Sequence, residues 1–255
     1  MPPPANSPAN SIPAIYQVFA ALSRTIEPDE QSGLGGKLLY AGEINDLSRS
    51  LLYAANIAGA ASLAASPDPA TQRQAIRDGV VDFLVTSLEE ALRILKNEIR
   101  KHQTVSVAVA TSSETLTAQM LDRGVLPDLL AALPSDRAKT FLSQGAREIA
   151  APGQPREEFV SWSVDRNPAR WLPRLDICAQ AIVPANDHPR QRWLRLAPRY
   201  LGRLAQRQHG IALAAGELAR FEVEVNRMLE RNRIESGETA QVTIAAISPE
   251  NAHLM

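Results

Sequence analysis

The segment 42–50, GEINDLSRS, carries the residues best suited to phosphate chemistry. It follows an apolar run and precedes a helical pattern, which is where a Rossmann fold places the glycine-rich loop that receives a pyrophosphate. Gly42 is its one glycine. Ser48, Arg49 and Ser50 would bind a phosphate if they line the first turn of the helix, because hydroxyls and a guanidinium donate hydrogen bonds to phosphate oxygens.

Acidic residues in the same segment oppose that interpretation. Glu43 and Asp46 would repel a pyrophosphate. Asn45 or Asp46 would equally serve as an ordinary helix N-cap, since short polar side chains accept hydrogen bonds from the first free N–H groups of a helix. From the sequence, a phosphate site and a plain N-cap are equally favoured.

A second run of hydroxyls begins at Thr111 and Ser112, directly after the apolar run 104–110. Thr111 and Glu114 have capping-box spacing, so helix capping is the default interpretation. The functional alternative is that these hydroxyls and the nearby N–H groups hold a ribose or a phosphate. If the strands at 37–42 and 104–110 flank the switch point of the sheet, both loops meet there and form one site for an anionic ligand.

Other chemistry-bearing residues are weaker candidates. GLGGK at 33–37 precedes a strand and opens no helix, so a turn into the sheet is favoured over a phosphate loop. Cys178 is expected to be a small buried residue. The histidines show no spacing that builds a metal site with Cys178 or nearby carboxylates, so no metal is predicted. They are His102, His188, His209 and His253.

Five arginines in the C-terminal part recur at three- and four-residue spacing and would share one face of a helix. No acid interrupts them, and guanidinium groups suit phosphates, carboxylates or an acidic partner surface. A solvated face is the usual meaning of such a stripe. Nucleic acid is not favoured, because no aromatic residue interleaves on the basic face. The five are Arg192, Arg195, Arg199, Arg203 and Arg207.

The elements that position these residues alternate between apolar runs and helical periods from residue 33 onward. The clearest helix is 87–102, with an apolar stripe, a capping box at Ser87 and Glu90, and a basic last turn. Such alternation predicts right-handed crossovers and a doubly wound, mostly parallel, Rossmann-like α/β sheet. The predicted strands are 37–42, 60–65, 80–85, 104–110, 127–132 and 147–151.

Three regions divide the chain. Residues 1–32 form a proline-rich arm and a short helix, and residues 33–152 form the sheet domain. Residues 153–255 form a largely helical region rich in arginine and tryptophan. Its predicted helices are 167–183, 189–208 and 217–232, the last containing a FEVEV sequence that is also typical of a strand, and its predicted terminal strand is 239–247.

The composition excludes several classes of protein. The 27 basic and 28 acidic side chains give a formal charge of −1, which provides no overall attraction to nucleic acid or to anionic membranes. No apolar run reaches the ~20 residues of a transmembrane helix, and no signal-peptide pattern opens the chain. A single cysteine excludes an internal disulfide framework and fits a cytoplasmic protein.

One family shares the order of several motifs in the sheet domain. Gly79 and Asp82 accompany a strand, the helix SLEEALRILKNEIRK follows, and LDRGVLPDLL occupies 121–130 after a further β-run. With these motifs, residues 79–130 resemble the Rossmann-like, NAD-binding domain of urocanase (urocanate hydratase). AANIAGAASLAASPDP at 54–69 is similar to the helix and strand that follow the family's glycine-rich loop. The resemblance implies NAD as cofactor and a hydratase that adds water to urocanate.

The sequence departs from that family in its cofactor loops. EINDLSRS replaces the run of glycines after the first strand, and Thr111 and Ser112 replace a Gly-Asn pair. LAALPSDRAKT replaces a loop that bears Thr, Gln, Ser, His and Asp. We therefore expect a urocanase-like protein that binds NAD or another nucleotide or small anionic ligand without being a competent urocanate hydratase. The expected binding residues are Gly42, Ser48, Arg49, Ser50, Thr111 and Ser112.

The alternative is a non-catalytic interaction protein. Its N-terminal arm and its arginine- and tryptophan-rich C-terminal region would form the contacts of a homodimer, since Arg and aromatic residues are enriched at interfaces. Trp162, Trp171 and Trp193 would either contribute to such contacts or belong to the core.

Overall fold

The structure is a computed structural model that describes residues 10–131, 136–149 and 157–247. The chain divides into two compact units: residues 1–10 with 15–153, and residues 11–14 with 154–255. The first nine residues of the predicted proline-rich arm lie outside the described residues. Within the described ranges, no helix combines the length and the apolar character needed to cross a membrane.

The first unit contains a parallel sheet flanked by helices, so the predicted doubly wound α/β fold is confirmed. Each of the six predicted strands overlaps an observed one. The strands are β1 (Leu38–Glu43), β2 (Ala61–Ala65), β3 (Phe83–Val85), β4 (Val105–Val109), β5 (Leu129–Leu130) and β6 (Arg147–Glu148). The helices are α1 (Ile12–Thr25), of which residues 15–25 belong to this unit, α2 (Asp46–Ala58), α3 (Pro69–Arg77), α4 (Leu88–Arg100), α5 (Ser113–Asp122) and α6 (Asp136–Ser143).

The strand order of this sheet is β3-β4-β2-β1-β5-β6. The chain runs outward from β1, places β4 between β2 and β3, and then crosses to the other side of β1 to form β5. The switch point therefore lies between β1 and β5, so the condition under which the two candidate loops would meet there, with β1 and β4 flanking it, is not met. The burial pattern agrees with this order: the inner strand β4 is buried throughout, whereas the edge strand β3 is largely exposed.

Asp128 fixes β5 against β1 at the start of both strands. Its Oδ2 accepts a hydrogen bond from the backbone N–H of Leu38 at 2.9 Å, and its own N–H donates to the Leu38 carbonyl at 2.9 Å. The ammonium of Lys37 lies 3.3 Å from Oδ1. This aspartate belongs to the LDRGVLPDLL segment, so that motif has a structural role here.

Asp82 forms a similar contact at the β3 side of the sheet. Its Oδ2 accepts from the backbone N–H of Ser106 at 2.8 Å and from the Ser106 hydroxyl at 3.0 Å. Its N–H donates to the Ser106 carbonyl at 2.9 Å. The two aspartates thus hold β3 to β4 and β5 to β1 by the same device, which is a carboxylate placed just before a strand and bonded to the backbone of the neighbouring strand.

The best-defined predicted helix is confirmed as α4. Ser87 is its N-cap and accepts from the Glu90 N–H at 3.3 Å. The Glu90 carboxylate accepts from the backbone N–H of Thr86 at 2.9 Å, one residue before the cap. Leu88, Ala91 and Leu95 are buried in the core against the sheet.

The second unit combines helices with a small antiparallel sheet of order β8-β7-β9. Its strands are β7 (Glu158–Val164), β8 (Gln208–Leu213) and β9 (Val242–Ile247). Its helices are α7 (Pro168–Ile182), α8 (His188–Tyr200), a 3-10 helix (Gly202–Ala205) and α9 (Ala215–Ser236). The predicted terminal strand is confirmed as β9, and FEVEV lies inside α9. The sequence analysis did not predict β7 or β8.

The predicted helix 189–208 is too long. α8 ends at Tyr200, because Gly202 adopts a left-handed conformation with φ 52°, and the chain enters β8 at Gln208. Arg203 lies in the 3-10 helix and Arg207 lies beyond it. The prediction that the five arginines share one helix face is therefore wrong.

The core of the second unit contains all three tryptophans, each at most 3 % exposed. The Trp162 indole N–H donates to Asp176 Oδ1 at 3.1 Å, and Nδ1 of His209 lies 2.8 Å from the same carboxylate. The Trp193 indole N–H donates to the Gly210 carbonyl at 2.8 Å. The tryptophans are therefore core residues and do not supply exposed contact material. Cys178 is buried, as predicted.

We expect Asp128→Ala to lower the free energy of unfolding of the first unit by about 1–2 kcal/mol, because the Leu38 N–H loses its acceptor. Hydrogen exchange at the Leu38 amide should accelerate. Lys37→Met is the matched control: the Lys37 side chain is 43 % exposed, so the loss of its ion pair should cost less than about 1 kcal/mol. Equal destabilisation by the two variants, with unchanged exchange at Leu38, would contradict the role assigned to Asp128.

Candidate functional site

The chain turns at Gly42, near the end of β1, where a φ of 73° favours glycine. Asn45 caps α2: its side chain accepts from the Ser48 N–H at 3.0 Å, and the Ser48 hydroxyl accepts from the Asn45 N–H at 2.8 Å. The predicted N-cap role of Asn45 is confirmed. The Ser48 hydroxyl also donates to the Glu43 carbonyl at 2.8 Å, so its proton is already engaged within the loop.

Arg49, the cation of this loop, forms an ion pair with Asp78 at the end of α3. Its side chain is only 14 % exposed. Asp78 is held in turn by Gln74, whose amide donates to Oδ1 at 2.7 Å, and its backbone carbonyl accepts from the Tyr53 hydroxyl at 3.0 Å. The charge of Arg49 is thus neutralised by a partly buried network within the unit.

The remaining predicted residues also have partners within the protein. The Ser50 hydroxyl donates to Asn10 Oδ1 at 3.2 Å. Ser112 is the N-cap of α5 and accepts from the Thr115 N–H at 3.2 Å, one residue later than the predicted cap at Thr111. Thr111 donates its N–H to the Val109 carbonyl at 2.8 Å.

The two predicted loops meet through Glu43. Its Oε2 lies 3.4 Å from both the backbone nitrogen and the hydroxyl of Ser113, the first residue of α5. A helix N-terminus attracts negative charge, and here the charge comes from the protein itself. The contact occurs although β2 separates β1 from β4, because the Glu43 side chain reaches across the carboxyl ends of the strands.

Tyr40 lies beneath this contact and is fully buried. Its hydroxyl donates to the Ser113 carbonyl at 3.0 Å and lies 3.0 Å from the Thr117 hydroxyl. Burial raises the pKa of Tyr40 to about 12, against the lowering effect of the Thr117 hydrogen bond and with a further increase from the Glu43 charge. Tyr40 thus fixes the first turn of α5 from below while Glu43 contacts it from above.

The residues around this edge do not fit the pyrophosphate of NAD as they lie. Glu43 and Asp46 bring two negative charges to the loop where a Rossmann fold binds the diphosphate. Arg49 is committed to Asp78, and the N–H of Ser113 faces a carboxylate. Among the residues that the structure describes, no group of His, Cys, Asp and Glu could hold a metal ion.

GLGGK forms a turn at the opposite end of the strands, before β1, as the sequence predicts. Gly35 and Gly36 pack against His102, which follows α4 in a left-handed conformation with φ 56°. A Cβ atom on Gly35 would lie 2.8 Å from the His102 carbonyl oxygen, and one on Gly36 would lie 3.2 Å from its ring. The glycines therefore serve close packing and are remote from the carboxyl ends of the strands.

Four arginines of the second unit form a basic surface. Arg195, Arg199, Arg203 and Arg207 are exposed, and the Arg199 guanidinium lies 5.4 Å from the ring centre of Tyr200. The sequence from 188 to 216 contains no acidic residue. Exposure in water weakens the attraction of such a surface for any single anion.

Sequence reasoning missed two functional contacts of the site. It identified Glu43 only as a repulsive charge, whereas the structure places its carboxylate against α5. It also gave Arg49 no partner, because Asp78 lies 29 positions further along the chain. One local signal could have indicated the contact between Glu43 and α5. Glu43 is an acidic residue at the end of a strand, directly before a polar loop.

A comparison with families of known proteins agrees with this architecture. The family model described as "Urocanase Rossmann-like domain" matches residues 13–139. The match includes β1 to β5, both candidate loops, and the two aspartates that hold the sheet together.

We expect the first unit to lose stability as the pH rises from 10.0, the ordinary tyrosine pKa, to about 12. Tyr40 ionises at lower pH in the unfolded chain, so its contribution is complete below pH 10 and disappears as pH passes the folded-state pKa. In Tyr40→Phe the alkaline loss should be shallower by about 1.4 kcal/mol per pH unit. Urea unfolding between pH 9 and about 11.5 measures both slopes; identical slopes would contradict the assigned pKa.

Proposed function

We propose that the domain of residues 13–139, which matches the model of the urocanase Rossmann-like domain family, is a non-catalytic interaction module in this chain. Its crevice does not accept a dinucleotide as the residues stand. The observation that carries the proposal is the Glu43 carboxylate at the N-terminus of α5, in the position that a ligand anion would take.

The charges around the crevice support this proposal. A ligand phosphate at the N-terminus of α5 would lie within a few ångströms of the Glu43 carboxylate, and like charges at about 4 Å repel by several kcal/mol at an effective dielectric constant near 20. The compensating cation would have to be Arg49, which would first have to leave Asp78. Breaking a partly buried ion pair typically costs more than one new phosphate contact returns.

The polar residues of the loops support the same proposal. Ser48, Ser50 and Ser112 use their hydroxyls for caps and internal hydrogen bonds, which stabilise the two loops without a ligand. The structural roles of these serines therefore account for them without a bound cofactor. Under this proposal the chain retains the urocanase-type framework and lacks urocanate hydratase activity.

A nucleotide or other anionic ligand in the crevice is the second candidate function. The contacts of 3.4 Å between Glu43 and Ser113 favour it, because they are long for charge-assisted hydrogen bonds and would be displaced at low cost. In that case Glu43 swings away, and the ligand contacts residues of both loops. They are Gly42, Ser48, Arg49, Ser50, Thr111 and Ser112.

We expect wild-type protein to show no calorimetric binding of NAD, ATP or urocanate up to about 1 mM, and no loss of urocanate absorbance. Glu43→Gln should bind inorganic pyrophosphate at least about tenfold more tightly than wild type, because it removes one like charge from the N-terminus of α5. Asp122→Asn is the control, since it removes one charge from the opposite end of the same helix and should leave binding unchanged.

Each outcome separates the two candidates. NAD binding to wild type with a Kd below about 10 μM would overturn the interaction module and establish the nucleotide site. Consumption of urocanate would overturn the absence of catalysis. If Glu43→Gln gained no more affinity for pyrophosphate than Asp122→Asn, the assigned role of Glu43 would be wrong.

A further inference from the structure

The basic surface carries charges that have no acidic partner in the described part of the chain. Its four guanidinium groups are exposed, and none of them forms an ion pair or a hydrogen bond with another described residue. Like charges on one surface repel one another, so such a group attracts anions from outside the chain. The four residues are Arg195, Arg199, Arg203 and Arg207.

The elements around α8 supply no free carboxylate to this surface. α8 packs against α7, β8 and the 3-10 helix. Asp176 is the one acidic residue on these three elements; it is buried, and its carboxylate is bonded to two neighbouring side chains. The acids near the start of α8 all pair with Arg190, at the end of the helix remote from the basic surface. They are Glu157, Asp187 and Glu217.

The arginines of α9 show the more usual arrangement. Arg227 pairs with Glu224, and Arg233 pairs with Glu230, each glutamate lying three residues earlier on the same helix. Both arginine side chains are 61 % exposed. Exposure therefore does not by itself leave an arginine of this unit without an acid. What distinguishes the basic surface is the absence of acidic residues from 188 to 216.

The helical part of the basic surface has a fixed backbone. Trp193, Leu194 and Ala197 are buried and anchor α8 to the core of the unit. Arg195 and Arg199 lie on the opposite side of the helix, one turn apart, which separates their Cα atoms by about 6 Å along the axis. A partner therefore meets these two charges at a set spacing.

The turn after α8 is fixed by a contact with β8. The Ala205 carbonyl oxygen lies 2.9 Å from Nε2 of His209, whose Nδ1 lies 2.8 Å from the buried Asp176 carboxylate. Ala205 lies between Arg203 and Arg207 in the sequence, so the backbone that carries these two arginines is held to the core. Binding to a surface that is already ordered avoids the entropy cost of ordering it.

We propose that the basic surface binds an acidic segment of a partner protein. Guanidinium groups form paired, charge-assisted hydrogen bonds with carboxylates. One exposed ion pair contributes little in water, so the partner has to present several carboxylates together. The segments outside the described ranges contain one acidic residue, Glu250, which is too little charge to neutralise four arginines. The proposal concerns the second unit and does not depend on the function proposed for residues 13–139.

Nucleic acid matches the basic surface less well than an acidic protein segment does. Binding of single strands relies on exposed aromatic rings on which the bases stack. All three tryptophans are at most 3 % exposed, and the Tyr200 ring is already in contact with the Arg199 guanidinium. The formal charge of −1 adds no wider attraction for a long polyanion. A short acidic segment needs only the local group of charges.

Fluorescence anisotropy with a labelled oligoglutamate peptide tests the proposal. Wild type should bind the peptide with a Kd below about 100 μM at low salt, and added salt should weaken the binding. Arg199→Gln/Arg203→Gln should raise the Kd by at least about fivefold, because two of the four charges are lost. Arg227→Gln/Arg233→Gln is the matched control: it removes the same charge from exposed arginines that have acidic partners, and should change the Kd by less than about twofold. Circular dichroism confirms that both variants are folded.

The same assay with a labelled oligothymidylate and with phosphatidylserine vesicles identifies the kind of anion. We expect the oligoglutamate to bind more tightly than either. Tighter binding of the oligothymidylate would assign the surface to nucleic acid, and tighter binding of the vesicles would assign it to a membrane; either result would overturn the proposal. So would the absence of oligoglutamate binding, or an equal loss of affinity in the two double variants.

Discussion

The contact between Asp128 and the backbone of Leu38 determines where this domain can have a site. It sets β5 beside β1, and the reversal of strand order between these strands defines the crevice of a doubly wound sheet. Asp82 performs the same task between β3 and β4. Both carboxylates accept hydrogen bonds from backbone N–H groups at the start of a strand, which would otherwise have no acceptor. The geometry of the sheet therefore depends on these two aspartates more than on any residue of the candidate site.

Glu43 links this framework to the crevice. Because β1 is held in the middle of the sheet, the residue at its carboxyl end reaches the first turn of α5, and Tyr40 fixes that turn from the buried side. The resulting edge has its own internal charge balance, with Glu43 at a helix N-terminus and Arg49 paired with Asp78. In many doubly wound folds a ligand anion lies at such a helix N-terminus, whereas here the Glu43 carboxylate lies there.

Local patterns predicted the strands of the parallel sheet and the best helix, because apolar continuity and capping residues act over a few positions. The strand order was beyond those patterns, since β3 and β4 are both apolar runs, and whether a strand lies inside the sheet or at its edge depends on contacts with distant strands. The partners of Glu43 and Arg49 are 70 and 29 residues away, so no local spacing indicates them. By contrast, β7 was predictable: Val160, Trp162 and Val164 alternate with polar residues, and the composition of the region obscured that period.

The packing of Gly35 and Gly36 against His102 affects how relatives of this chain should be compared. No larger residue fits at position 35 while the His102 carbonyl is in place, and the left-handed backbone at position 36 adds its own preference for glycine. Both glycines would persist through divergence for steric reasons alone. Glycines at these two positions in a relative would therefore reflect the close approach of this loop to the histidine and would not by themselves indicate phosphate binding.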